Sequence, residues 1–251
     1  MKTFLISYPK VGRTWLRLIL GRTFTYHFGI DDMERDLFNN EKLHEKDKRI
    51  PRIFELHEDR PQDKKPNQLR TTKNKFKNDK VIFLIRDPRD TIISFFFMRT
   101  RRHKNVYQGN IKQFIRDNTG SLASMIRYYN IWYNCRKQPK DFIIVTYEDL
   151  KNRGPRTLMK IMKFLGLNNV SLETVKKAYD YCVFEKMRKY EKAHTFKRDL
   201  RPGDKNDEES YMTRKGKVGG YREYLDEDDI QYINEQLENL NDFYNFYKAK
   251  K

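Results

Sequence analysis

Apolar positions along this chain of 251 residues follow two periods. Unbroken short runs mark buried strands, and spacings of three and four mark helices. The run K-T-F-L-I-S (residues 2–7) is predicted to be a strand. Tyr8 to Thr14 form a turn, and Leu16, Ile19, Leu20 and Phe24 then sit at helical spacing from about Thr14. Strand, turn and helix in that order open a nucleotide-binding α/β unit. Residues 51–57 (P-R-I-F-E-L-H) read as a second strand ending at His57. V-I-F-L-I (81–85) and F-I-I-V-T (142–146) read as buried parallel strands. Pro88 is placed to begin a helix carrying Ile92, Ile93, Phe96 and Phe97. A helix is expected over 121–137, and K-I-M-K-F-L-G-L (160–167) ends another, with Gly166 just past its end. Residues 226–247 are expected to form a final amphipathic helix from Asp226. The stretches 60–80, 101–110 and 194–220 lack either period and are read as loops, the last as a long functional one. No repeat or linker divides the chain, so one α/β domain over residues 1–251 is expected.

Composition sharpens this picture in two ways. Aromatic residues make up 14% of the chain, enough bulk for a core despite 35% charged residues. Lysine and arginine total 53 against 35 acidic residues, a net charge of +18, which points to an anionic partner. That partner could be a multiply charged nucleotide, an acidic glycan, a nucleic acid or a membrane surface. Cys135 and Cys182 have no metal-ligand spacing around them. No stretch reaches membrane-spanning length, and a cytoplasmic location is the expectation.

Two segments carry candidate chemistry. S-Y-P-K-V-G-R-T-W joins the first strand to the first helix. There, free backbone N–H groups and the positive helix end converge on one point. Gly12 allows close approach, Lys10 supplies a mobile cation and Thr14 a hydroxyl, which together make a phosphate cradle. The usual triphosphatase loop, G-x-x-x-x-G-K-[ST], is not present. V-I-F-L-I-R-D-P-R-D-T-I-I-S-F-F-F places Arg86 just past a buried strand, where ligands of open parallel sheets bind. Ser94 follows about two helical turns later and could share an anion with Arg86. The competing reading is an Arg86–Asp90 surface pair.

These two segments, with V-T-Y-E-D-L-K (145–151) and R-K-G-K-V-G-G-Y (214–221), resemble the PAPS-dependent sulfotransferase family in content and order. PAPS is 3′-phosphoadenosine 5′-phosphosulfate. The resemblance implies a central parallel sheet flanked by helices, related to P-loop nucleotide kinases. It implies transfer of a sulfuryl group to a hydroxyl or amine acceptor by in-line displacement, with release of adenosine 3′,5′-bisphosphate (PAP) and no metal. By the same resemblance Lys10, Val11, Gly12, Arg13 and Thr14 would hold the 5′-phosphosulfate, and Lys10 would also meet charge on the leaving oxygen. Trp15 would stack on adenine, Tyr147 would contact it, and Phe184 would be a second stacking aromatic. Arg86 and Ser94 would bind the 3′-phosphate, with Arg214, Lys215 and Gly216 closing over it. His57 matches the family's catalytic base. Glu55 stands where many members have a lysine, and Glu55 and Glu58 remain rival bases. Val11 and Arg13 replace common small hydroxyl residues, and the family's usual dimerisation pattern is absent from 222–235.

The alternatives are an ATP-dependent P-loop kinase and a basic nucleic-acid or polyanion-binding protein. The second would use the 60–80 stretch and the Arg99–Lys104 cluster, though no helix-turn-helix, RRM or zinc pattern supports it. Nucleic acid is therefore not the expected partner. A small-molecule, lipid or glycan acceptor is expected, chosen by the loops 27–50, 58–78, 99–120 and 194–212. Peripheral association with an anionic surface is compatible with the charge.

Overall fold

Four apolar runs become the four strands of one parallel sheet. They are β1 (Thr3–Ser7), β2 (Ile53–Leu56), β3 (Lys80–Ile85) and β4 (Asp141–Thr146), in the order β2-β1-β3-β4. A computed structural model describes residues 1–30, 36–103, 106–196 and 199–248. β3 is the most deeply sunk strand, with Val81 to Ile85 fully buried. Its apolar run has no alternation because both faces of the sheet are covered.

Parallel neighbours need long crossovers, and the helices supply them. α1 (Arg13–Phe28) and α2 (Asn40–Lys46) lead from β1 to β2. α3 (Pro88–Phe97), α4 (Ile111–Arg116) and α5 (Leu122–Asn134) lead from β3 to β4. α6 (Tyr147–Asn152), α7 (Gly154–Leu165), α8 (Leu172–Tyr181), α9 (Phe184–Lys192) and α10 (Glu227–Leu237) complete the set. α5 lays Trp132, Tyr128 and Tyr129 on Phe83 of β3, at ring-centroid distances of 5.5, 5.8 and 5.8 Å. α7 stops at Gly166 (φ 87°), as its sequence predicts.

From β1 the chain moves outward to β2, then returns to the far side of β1 with β3. That reversal makes the β1–β3 gap the switch point where open α/β sheets bind ligands. Ser7 pairs with Leu84 there, so the segments after both strands emerge side by side.

Two expectations need correction. The last helix ends at Leu237 rather than 247, and a separate 3₁₀ segment covers Asp242–Tyr247. The apolar pattern continues, but asparagines divert the backbone. Asn130 Nδ2 donates to the Asn239 carbonyl (2.7 Å), Asn130 Oδ1 accepts from Asn241 N (2.8 Å), and Asn241 caps Phe243 N (3.0 Å). The loop expected from 101 begins later, because Met98–Arg102 prolong α3 as one π-turn. Residues 104–105 of that loop, and 197–198 of the long loop, lie outside the described residues.

Candidate active site

β1 delivers its chain into a tight bend in which Lys10 (φ 69°) and Gly12 (φ 93°) are both left-handed. Gly12 needs its missing side chain twice over, since an added Cβ would lie 2.6 Å from Tyr147 Cδ2. α1 begins directly after it. The first intrahelical bond runs from Leu16 N to Gly12 O, so the N–H groups of Arg13, Thr14 and Trp15 have no partner within the helix. No acidic residue stands in that first turn. Val11 turns into the core and is fully buried, so only its backbone can serve a ligand. Trp15 is fixed by its indole N–H, which donates to Cys182 O (2.7 Å), and it meets Tyr147 edge-on at 5.5 Å.

Arg86 emerges from β3 beside this bend. The Tyr129 hydroxyl accepts from Arg86 N (3.2 Å) and donates to Arg86 O (3.0 Å), which fixes its backbone. Its guanidinium lies over the Tyr147 ring at 4.4 Å and donates to the Lys217 carbonyl at 2.8 Å. The competing Arg86–Asp90 reading holds only as a loose contact of 3.6 Å. Asp90 is buried and accepts from Gly219 N (2.8 Å) and Tyr221 N (3.1 Å). It thereby clamps the far end of the R-K-G-K-V-G-G-Y segment.

The near end of that segment has its own clamp. Fully buried Glu191, on α9, accepts from Met212 N (2.7 Å), Thr213 N (2.9 Å) and Thr213 Oγ1 (2.6 Å). Phe184 opens the same helix and fills the space over Gly216, where a Cβ would come within 2.3 Å of its ring. Arg214 reaches Glu209 at 3.0 Å and lies over Phe97 at 4.5 Å, while Lys215 reaches Glu223 at 3.3 Å.

Three candidate bases can now be separated. His57 Nδ1 lies 2.9 Å from Ser7 O. A carbonyl only accepts, so Nδ1 carries the proton and Nε2 keeps its lone pair. Burial, followed by the Arg13 charge, pushes the His57 pKa down to about 4, so the imidazole is neutral at pH 7. Glu55 instead faces Arg17 (3.2 Å) and Asn40 (2.8 Å). Glu58 is buried between Lys73 and Lys75, both at 2.7 Å. Asp59 likewise meets Lys64 and Arg70, so four cations of the 60–80 stretch brace the wall next to His57. Burial chiefly, with the Arg102 charge and smaller effects of Arg214 and Arg86, lowers Lys10 to about 8 against the opposing pull of Glu191.

A cavity of about 590 Å³ joins these parts. Lys10, Gly12, Arg13, Thr14, Trp15, His57, Arg86, Ser94, Tyr147, Phe184, Arg214, Lys215 and Gly216 all line it, which leaves out Val11 and the rival bases Glu55 and Glu58 among the residues expected from sequence. Arg17, Gln62, Met98, Arg102, His103 and Arg201 line it too and were missed. The π-turn that swings Arg102 inward leaves no mark in apolar spacing. Ten lysine and arginine residues face two carboxylates, Asp90 and Asp199, across the cavity. Nε of Arg86 and of Arg214 are buried without a hydrogen-bond partner among the described residues. Such a site fits a ligand with several anionic groups and a flat ring, as PAPS is.

Comparison with known proteins agrees with this geometry. The profile of the sulfotransferase domain matches residues 1–245. Rabbit (Oryctolagus cuniculus) amine sulfotransferase is 26% identical over 88% of this chain and 74% of its own length. Bovine (Bos taurus) sulfotransferase 1E1 is 25% identical over 88% of this chain and 77% of its own. Among solved structures, retinol dehydratase with androsterone and PAP superposes with a TM-score of 0.66 at 19% identity, covering 96% of this chain and 81% of that one. Mouse sulfotransferase SULT7A1 with PAP gives 0.62 at 21%, covering 94% and 82%. From its phosphate bend to its clamped C-terminal segment, the chain belongs to the sulfotransferase family, whose sulfuryl donor is PAPS.

Proposed function

We propose that residues 1–251 form one sulfotransferase domain that transfers the PAPS sulfuryl group to a hydroxyl of a small-molecule acceptor, with His57 as base, in the cytoplasm. The observation that carries the assignment of the base is the His57 ring. One nitrogen is committed to Ser7 O, the other has no hydrogen-bond partner among the described residues at the cavity wall, and both rival carboxylates are turned into ion pairs.

PAPS supplies the sulfuryl group. The N–H groups of Arg13, Thr14 and Trp15, with Lys10, hold its 5′ end, and Arg86 with Ser94 holds the 3′-phosphate. Trp15, Tyr147 and Phe184 provide apolar ring surfaces for adenine. His57 Nε2 takes the acceptor proton as the acceptor oxygen bonds to sulfur. The bond from sulfur to the 5′-phosphate oxygen breaks, its electron pair stays on that oxygen, and the Lys10 ammonium faces the charge left there. Catalysis on this reading is positioning and charge stabilisation, as in phosphoryl transfer.

Calorimetric titration with PAP, beside ATP as a control, tests the reading. Micromolar or tighter PAP binding that Arg86→Ala weakens at least tenfold is expected. Turnover with PAPS should fall about a hundredfold or more in Lys10→Ala and in His57→Ala. A folded sample that ignores PAP would overturn it, and full turnover in His57→Ala would move the base elsewhere.

A further inference from the structure

Within the phosphate bend, the side chain of Arg13 keeps a donor without a partner among the described residues. Arg13 belongs to the cradle through its backbone N–H, yet its guanidinium lies close enough to His57 to depress it, on the base's side of the cavity. Arg13 Nη1 is buried, and among the described residues it has no hydrogen-bond partner. The nearby carboxylates are shared with other partners, Glu55 bearing on both Arg13 and Arg17. Glu55 is held by Arg17 and Asn40, and Asp199 lies 3.6 Å from Arg17. Burying a guanidinium with an idle donor is costly unless an anion completes it.

The other cations of the cavity are better supplied with carboxylates. Ten cationic residues line it beside Asp90 and Asp199, and five of them, Arg17, Arg102, Arg214, Lys215 and Lys217, also meet Glu55, Glu191, Glu209 or Glu223 outside the lining. Arg102, on the π-turn after α3, and His103, just past it, line the cavity as well. Each side chain bears on the other or on Lys10 electrostatically, which puts them together at this end. Ile93, Met98, Leu200 and Met212 supply apolar surface in the same cavity.

We propose that the acceptor is an amphipathic anion, a hydroxylated ring or chain bearing a carboxylate or comparable acidic group, and that Arg13 grips this group while His57 faces the hydroxyl. This rests on the sulfotransferase reading and narrows its acceptor class. A neutral acceptor of the kind that androsterone represents, the steroid bound in the retinol dehydratase structure, would leave Arg13 idle.

The test uses matched acids and amides: para-hydroxybenzoate, para-hydroxyphenylacetate and para-hydroxyphenylpropanoate, each beside its carboxamide. For at least one pair, kcat/KM with PAPS should favour the acid by about tenfold or more, the worth of one charge-assisted bond. Arg13→Gln should bring that ratio towards one, and Arg13→Lys should restore part of it. If amides match or exceed acids in every pair, if no acid is turned over, or if Arg13→Gln slows both partners equally, the proposal is overturned. PAP calorimetry on the same sample keeps the failures apart. PAP binding without acid preference sinks only the acceptor class, whereas no PAP binding sinks the sulfotransferase reading itself.

Discussion

Protonation of His57 is where the site can be tested most directly. Between the ordinary imidazole value of 6.5 and about 4 lies a bias of about 3 kcal/mol against the imidazolium. Burial is its larger cause and the Arg13 charge the next, with the bond to Ser7 O working in the opposite direction. At pH 5.5 an ordinary histidine would be protonated about ten parts in eleven. His57 should remain almost wholly neutral there, as the Nδ1–H tautomer. Nitrogen-detected NMR of the five histidines, with His57→Gln to assign the resonance, reads tautomer and titration together. Arg13→Gln should raise the His57 midpoint but leave it below 6.5, because burial persists. Titration near 6.5 in the parent protein, or an Nε2–H tautomer, would refute the orientation of the base. The sign for stability follows. Below pH 6.5 the unfolded chain binds a proton at this residue that the folded chain refuses until about pH 4. The contribution of His57 is therefore complete above 6.5 and is lost, at about 1.4 kcal/mol per pH unit, as the pH falls towards 4.

Two further outcomes follow from the architecture. Gly12→Ala combines a left-handed backbone with a Cβ 2.6 Å from Tyr147, so thermal or urea unfolding should show a loss of about 2–5 kcal/mol, with weaker PAP binding. Asp90→Asn can keep only one of the two backbone bonds to Gly219 and Tyr221, so PAP affinity should fall several-fold while urea unfolding changes by no more than about 1–3 kcal/mol.

Local signals announced the scaffold. Three strands came from uninterrupted apolar runs and β2 from a run broken only by Glu55, and Pro88 and Gly166 marked helix ends because their backbone restrictions act within one turn. Lys10 and Arg86 could be placed because each lies within three residues of the end of a strand of a parallel sheet. The overlong last helix shows where local reading fails. The apolar stripe runs through Tyr244 and Tyr247, and only Asn130, more than a hundred residues away, shows that the chain must turn. Asp90 and Glu191 were invisible as clamps for the same reason. A carboxylate that serves distant backbone amides looks, in sequence, like any helix-surface acid. Glu55 stood out as a misfit beside the nucleotide, and its partners Arg17 and Asn40 lie on other elements.

The carboxylate pair that holds the C-terminal segment has a consequence for how this site can change over time. Apart from the Thr213 hydroxyl, Glu191 and Asp90 bind only main-chain amides in it. An anchor of that kind is indifferent to side-chain identity. Residues 214 to 218 can therefore be exchanged, by drift or by design, while the path of the chain is kept, save at Gly216, where Phe184 leaves no room. The scaffold separates the track of the loop from the chemistry it displays, so a new ligand preference could be written there without refolding the enzyme around it.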